Sequence, residues 1–138
     1  MAKMEPTTPT TVPTQPEGAT TPTNQHITRV RRLALSLPDT TEKLSHGEPT
    51  FFVRKRAFIM FANNHHNDGH TAIWIPAAPG RQAEMIADAP ETYFKPPYVG
   101  VKGWVGVELT RINNEDLAQL IRSAWQITAA LAPIRRRR

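Results

Sequence analysis

The chain has 138 residues, 39% of them hydrophobic, with thirteen prolines, no cysteine and a formal charge of +5. That length suits one ordinary domain and leaves little for a second core. The lack of cysteine excludes disulfides, thiolate metal sites and cysteine nucleophiles, and no apolar run approaches a membrane span.

The charge is uneven. Lys3 against Glu5 and Glu17 gives residues 1–24 a sum of −1, and Arg135 to Arg138 contribute +4. Only +2 is left for the middle of the chain. The terminal arginines would attract any polyanion without sequence preference. The N-terminus has no apolar secretory segment, so the expected location is the cytoplasm, with no membrane partner.

Residues 1–24 hold five of the prolines and eight threonines, with almost no large apolar side chain. Such a segment cannot offset its ordering entropy and reads as a disordered arm. A helix is expected from about Asn24, with Ile27, Val30, Leu33, Ala34 and Leu37 on one face and Pro38 ending it. Arg29, Arg31 and Arg32 take the polar side and read as a solvated face. Phe51–Val53 and Phe58–Phe61 are strand formers, with Arg54, Lys55 and Arg56 at the tip of the hairpin between them. A polar loop, 63–69, leads to a strand over 70–75. A short helix covers about 82–89. Two or three further strands lie within 93–109, interrupted by Pro96 and Pro97, which cannot sit in a central ladder. Asn113 caps a final helix with Leu117, Leu120, Ile121, Ala124, Thr128 and Leu131 on one face. The order predicts an α+β domain over 25–133: a mostly antiparallel sheet packed on the N-terminal and C-terminal helices. Residues 134–138 are left as an arginine-rich tail.

Several stretches carry a resemblance. They are Leu33-Ala34-Leu35-Ser36-Leu37-Pro38, His46-Gly47-Glu48-Pro49-Thr50-Phe51, Pro90-Glu91-Thr92-Tyr93-Phe94-Lys95-Pro96-Pro97-Tyr98-Val99-Gly100 and Gly103-Trp104-Val105-Gly106-Val107-Glu108-Leu109. The chain resembles the MmcQ/YjbR family of small bacterial proteins over about residues 26–132. The resemblance implies a CyaY-like fold, also described as a double-wing DNA-binding motif, and brings no catalytic set.

On that reading Arg54, Lys55, Arg56, Lys95, Tyr98, Lys102, Trp104 and Arg111 are the candidate nucleic-acid-binding residues. Cations gathered from several elements suit phosphates, and interleaved aromatics suit exposed bases. The bland alternative is that Phe94, Tyr98 and Trp104 only pack. His65, His66 and His70 with Asp68 match no metal-binding spacing, so neither a metal nor a cofactor is expected. There is no phosphate-cradling glycine loop. His46, Glu48 and Glu91 are where acid–base chemistry would be sought, but no nucleophile accompanies them. Trp74, Trp104 and Trp125 read as anchors between sheet and helices. The expectation is a small, non-enzymatic DNA-binding protein with weak sequence preference. The rival is a small-molecule or protein-binding module with a cleft near Tyr93, Lys95, Tyr98 and Trp104. The oligomeric state is left open.

Overall fold

A computed structural model describes residues 22–132. The expected arm and arginine tail lie outside the described residues, apart from Pro22 to Asn24, which begin the first helix. In chain order the elements are α1 (Pro22–Leu35), β1 (Thr40–Ser45), β2 (Glu48–Val53), β3 (Arg56–Asn63), β4 (Thr71–Ile75), α2 (Arg81–Asp88), β5 (Tyr93–Phe94), β6 (Val105–Glu108) and α3 (Asn114–Leu131). The six strands form one antiparallel sheet in the order β1-β2-β3-β4-β6-β5.

Both long helices pack on one face of the sheet. Val30 and Ala34 of α1 and Leu117, Ile121 and Ala124 of α3 meet Phe51, Val53, Ile59, Ile73, Ile75, Val105 and Val107, all buried in one cluster. Alternation along each strand sends every second side chain there. In β2 and β3 the alternation is broken once: Phe51 pairs with Ile59 but Phe52 pairs with Ala57, which leaves Phe58 as an extra residue. That bulge buries Phe58 and Ile59 together, although they are adjacent.

Expected and observed elements differ at β1, which had no counterpart in the sequence reading. Of its six residues, Thr-Thr-Glu-Lys-Leu-Ser, three are exposed and none is buried, because β1 is an edge strand. Edge strands carry no continuous apolar face, so periodicity cannot find them. Helix α3 begins as expected: the Asn113 side chain accepts from the Asp116 N–H at 2.7 Å, with Glu115 and Asp116 in the first turn.

The arginines of α1 do not form a solvated face. Arg29 donates to the carbonyls of Leu109 (2.8 Å) and Ile112 (2.6 Å) and to the Asn114 side chain (2.7 Å), tying α1 to the start of α3. Arg31 makes two 2.7 Å bonds to Glu42 on β1. Arg32 is exposed. The tryptophans divide as well. Trp125 is on the helical side and donates to the Pro38 carbonyl at 2.9 Å. Trp74 and Trp104 pack on the opposite face of the sheet, with Ala62, Phe94 and Val99.

Candidate functional site

The β2–β3 hairpin turns through Arg54 and Lys55, with Arg56 the first residue of β3. Arg54 adopts φ 58° there. Its side chain is folded back. It pairs with Asp39 at 3.2 Å and donates to the carbonyls of Ala129 (3.3 Å) and Ala132, at the end of α3. Arg54 therefore caps the C-terminus of α3, where the helix dipole favours a cation.

Lys55 and Arg56 are exposed and, among the described residues, form no ion pair. The same holds for Lys95 and Lys102. Antiparallel pairing puts Lys95 at the same end of the sheet as the hairpin tip, because β5 runs alongside β6 in the sense of β4. From β3 to β5 is three strand spacings, about 14 Å. Arg111 lies in the turn after β6, at the opposite end. The predicted group is thus divided: Lys55, Arg56 and Lys95 lie toward one end, Lys102 is exposed in the segment that crosses the open face, Arg54 is engaged internally, and Arg111 is remote.

Tyr98 and Trp104 belong to the segment between β5 and β6, which folds over the sheet face away from the helices. Gln82 of α2 holds the segment by donating to the Gly100 carbonyl at 2.8 Å. Close approach is enforced at Gly106, where a Cβ would run into the Phe94 ring. Trp104 packs beside Val99 and Trp74, while Tyr98 is 68% exposed and holds φ 64°. So large a side chain rarely adopts that conformation, which costs about 1–2 kcal/mol. The Tyr98 hydroxyl and His66 Nε2 are 3.0 Å apart, which joins this segment to the β3–β4 loop.

Under that junction the open sheet face holds a cavity of about 520 Å³, with Glu48, Thr50, Met60, His65, Trp74 and Tyr98 among its walls. His46 also borders it, whereas Glu91 does not. Of the four residues expected to border a cleft, only Tyr98 lines this one. Tyr93 points to the helical face, where burial first, and then Asp116, push its hydroxyl pKa up against the opposing effect of Arg81. Trp74, expected as an anchor between sheet and helices, and His65, expected in a polar loop, instead line this cavity on the open face. No group of side chains suited to a metal ion occurs among the described residues.

Next to the cavity face His70 stacks on Phe94 (centroids 4.0 Å apart, planes 5° apart) and its Nδ1 lies 2.7 Å from Glu108 Oε1. Burial works against the Glu108 carboxylate. Hydrogen bonds from His70, from the Thr110 side chain and from the Thr110 and Thr71 backbone outweigh it and lower the pKa.

Among proteins of known sequence family, the model described as YjbR matches residues 35–127. The chain belongs to the YjbR family. The crystal structure of a Deinococcus radiodurans protein, described by the domain name DUF419, superposes with a TM-score of 0.65 at 18% identity, covering 79% of this chain and 82% of that one. At that identity the likeness carries the fold of the YjbR domain and no more. No curated protein matches the chain. No helix among the described residues is long and apolar enough to cross a membrane.

Proposed function

We propose that this YjbR domain binds DNA through phosphate contacts made by Lys55, Arg56, Lys95 and Lys102. One observation supports the reading: these four cations are exposed and, among the described residues, no acid pairs with any of them. Arg31, Arg54 and Arg81, by contrast, are paired with carboxylates. A free cation exchanges a counterion for a phosphate, whereas a paired one must first break its own bond. The strands that carry Arg56 and lead into Lys95 are about 14 Å apart, a spacing comparable with a major groove about 12 Å wide. Contacts of this kind position a protein on a duplex and carry little sequence information.

Four phosphate contacts contribute about −3.6 to the slope of log affinity against log salt, which by itself weakens binding about 150-fold between 50 and 200 mM salt, and any contact by the terminal arginines steepens it further. Fluorescence anisotropy with a labelled duplex measures this on the full chain. Replacing Lys55 and Arg56 together by alanine reduces the slope by about 1.8. An unchanged slope in that double variant, and in the Lys95→Ala/Lys102→Ala pair, sinks the reading and leaves only the terminal arginines.

A further inference from the structure

The cavity on the open sheet face has features that phosphate binding does not use. We infer that it is a binding site for a planar heteroaromatic ring carrying a hydrogen-bond acceptor beside an amino group, the chemistry of adenine or cytosine.

Two buried ring nitrogens, Trp74 Nε1 and His65 Nε2, have no hydrogen-bond partner, and both side chains line the cavity. Trp74 is only 5% exposed, so bulk water does not serve it. Buried polar atoms of this kind are nearly always paired, so each exception points to a partner, ordered water or a ligand, that reaches it through the cavity. An indole N–H only donates, so the partner must offer an acceptor. His65 stands edge-on to Trp74, with centroids 5.1 Å apart and planes at 86°. Its nitrogen can donate or accept according to tautomer.

The walls restrict the shape. His65, Trp74 and Tyr98 form an aromatic lining with centroids 5.1 to 6.4 Å apart, and Met60 adds a soft apolar side. Such surfaces take flat rings well. A volume of about 520 Å³ falls within the range of small-molecule pockets. The half-buried Glu48 carboxylate supplies the complementary acceptor and has one weak bond of its own, from the Asn63 N–H at 3.4 Å. An amino group on the ring meets that carboxylate while a ring nitrogen takes the Trp74 N–H.

His46, His66 and Tyr98 border the cavity or its closing contact, and all have positive φ without being glycine. At His46 this is the ordinary geometry of the tight turn it forms with Gly47, so among these three the bulky Tyr98 is the strained one. The inference stands apart from the DNA reading, since none of Lys55, Arg56, Lys95 and Lys102 lines the cavity.

The test is a titration of the full chain with adenosine and with cytidine, read by ¹H–¹⁵N NMR of the tryptophan indoles. The expected result is a saturable downfield shift of one indole N–H that is missing in Trp74→Phe. The Trp125 indole, already bonded to Pro38, stays still. Glu48→Gln, at a half-exposed position, weakens binding about tenfold, and Trp74→Phe does the same. Indole, a flat ring with no matching acceptor, produces no such shift. The inference is overturned if neither nucleoside moves the Trp74 resonance at millimolar concentration, if Glu48→Gln binds as well as the native chain, or if indole binds equally well. Lys55→Ala/Arg56→Ala retains nucleoside binding, so failure here and failure of DNA binding are read separately.

Discussion

Arg54 and Lys55 are neighbours in a two-residue turn, yet only one is available to a partner. Arg54 is bonded to Asp39 and to the last carbonyls of α3, while Lys55 is exposed and unpaired. Hydrogen bonds from a charged donor contribute about 1.5–3 kcal/mol, and a partly exposed ion pair adds less than about 1 kcal/mol. Arg54→Ala is therefore expected to lower the unfolding free energy by about 2 kcal/mol in urea denaturation, with Lys55→Ala changing it by less than about 0.5 kcal/mol. Equal effects would remove the capping role. Glu108 gives a second residue-scale expectation. Its pKa in the folded protein is lowered, so its contribution is present above the ordinary carboxylate value of 4.5 and is lost as pH falls through the lowered one. Glu108→Gln should be less stable by about 2 kcal/mol at neutral pH and lose less on acidification. Parallel stability–pH curves for the two proteins would contradict this.

At the scale of elements, the open sheet face is shaped by a two-residue strand and the segment that follows it. β5 reaches β6 only because Gly106 leaves room for the Phe94 ring. Gly106→Ala forces ring and backbone apart and should cost about 2–3 kcal/mol, measured as a fall in the denaturation midpoint. Since Phe94 also stacks on His70, the same substitution should disturb the His70 ring resonances. Asn113→Ala removes the α3 cap and should cost about 1 kcal/mol, with no change at the cavity. An effect of Asn113→Ala on ligand titrations would mean that the helical layer and the open face are coupled.

On the whole molecule, the sheet separates two environments. The helical face is packed with apolar side chains, apart from a cavity of about 230 Å³ beside Met85 and Leu120. The opposite face keeps an aromatic layer, a cavity and two ring nitrogens without partners. Charge is distributed on a third basis: Arg31, Arg54 and Arg81 lie against carboxylates, whereas Lys55, Arg56, Lys95 and Lys102 are exposed and, among the described residues, form no ion pair. Neither Lys55 nor Arg56 lines the cavity, so substitutions there and at Glu48 should add in stability within about 0.5 kcal/mol. A double-mutant cycle combining Lys55→Ala with Glu48→Gln checks this, and a larger coupling would join the two proposed sites into one.

Local patterns were enough to determine the helices α1 and α3, the β2–β3 hairpin, strand β4 and the α+β class, because spacing, caps and prolines act within a few residues. They were also enough for the family, through the block from Tyr93 to Gly100 and on to Trp104. Tertiary structure alone decided which cations are free: Arg54 and Lys55 look alike in sequence, and only the position of the α3 terminus separates them. It also decided the edge strand β1, whose polar residues carry no period, and the face on which Trp74 and Trp104 pack. The cavity was equally invisible, since His46, Glu48, His65, Trp74 and Tyr98 come from separate segments. Hydrophobic periodicity says that a side chain is buried. Which layer buries it, and which polar groups are left without a partner there, depends on long-range pairing of strands that no local pattern encodes.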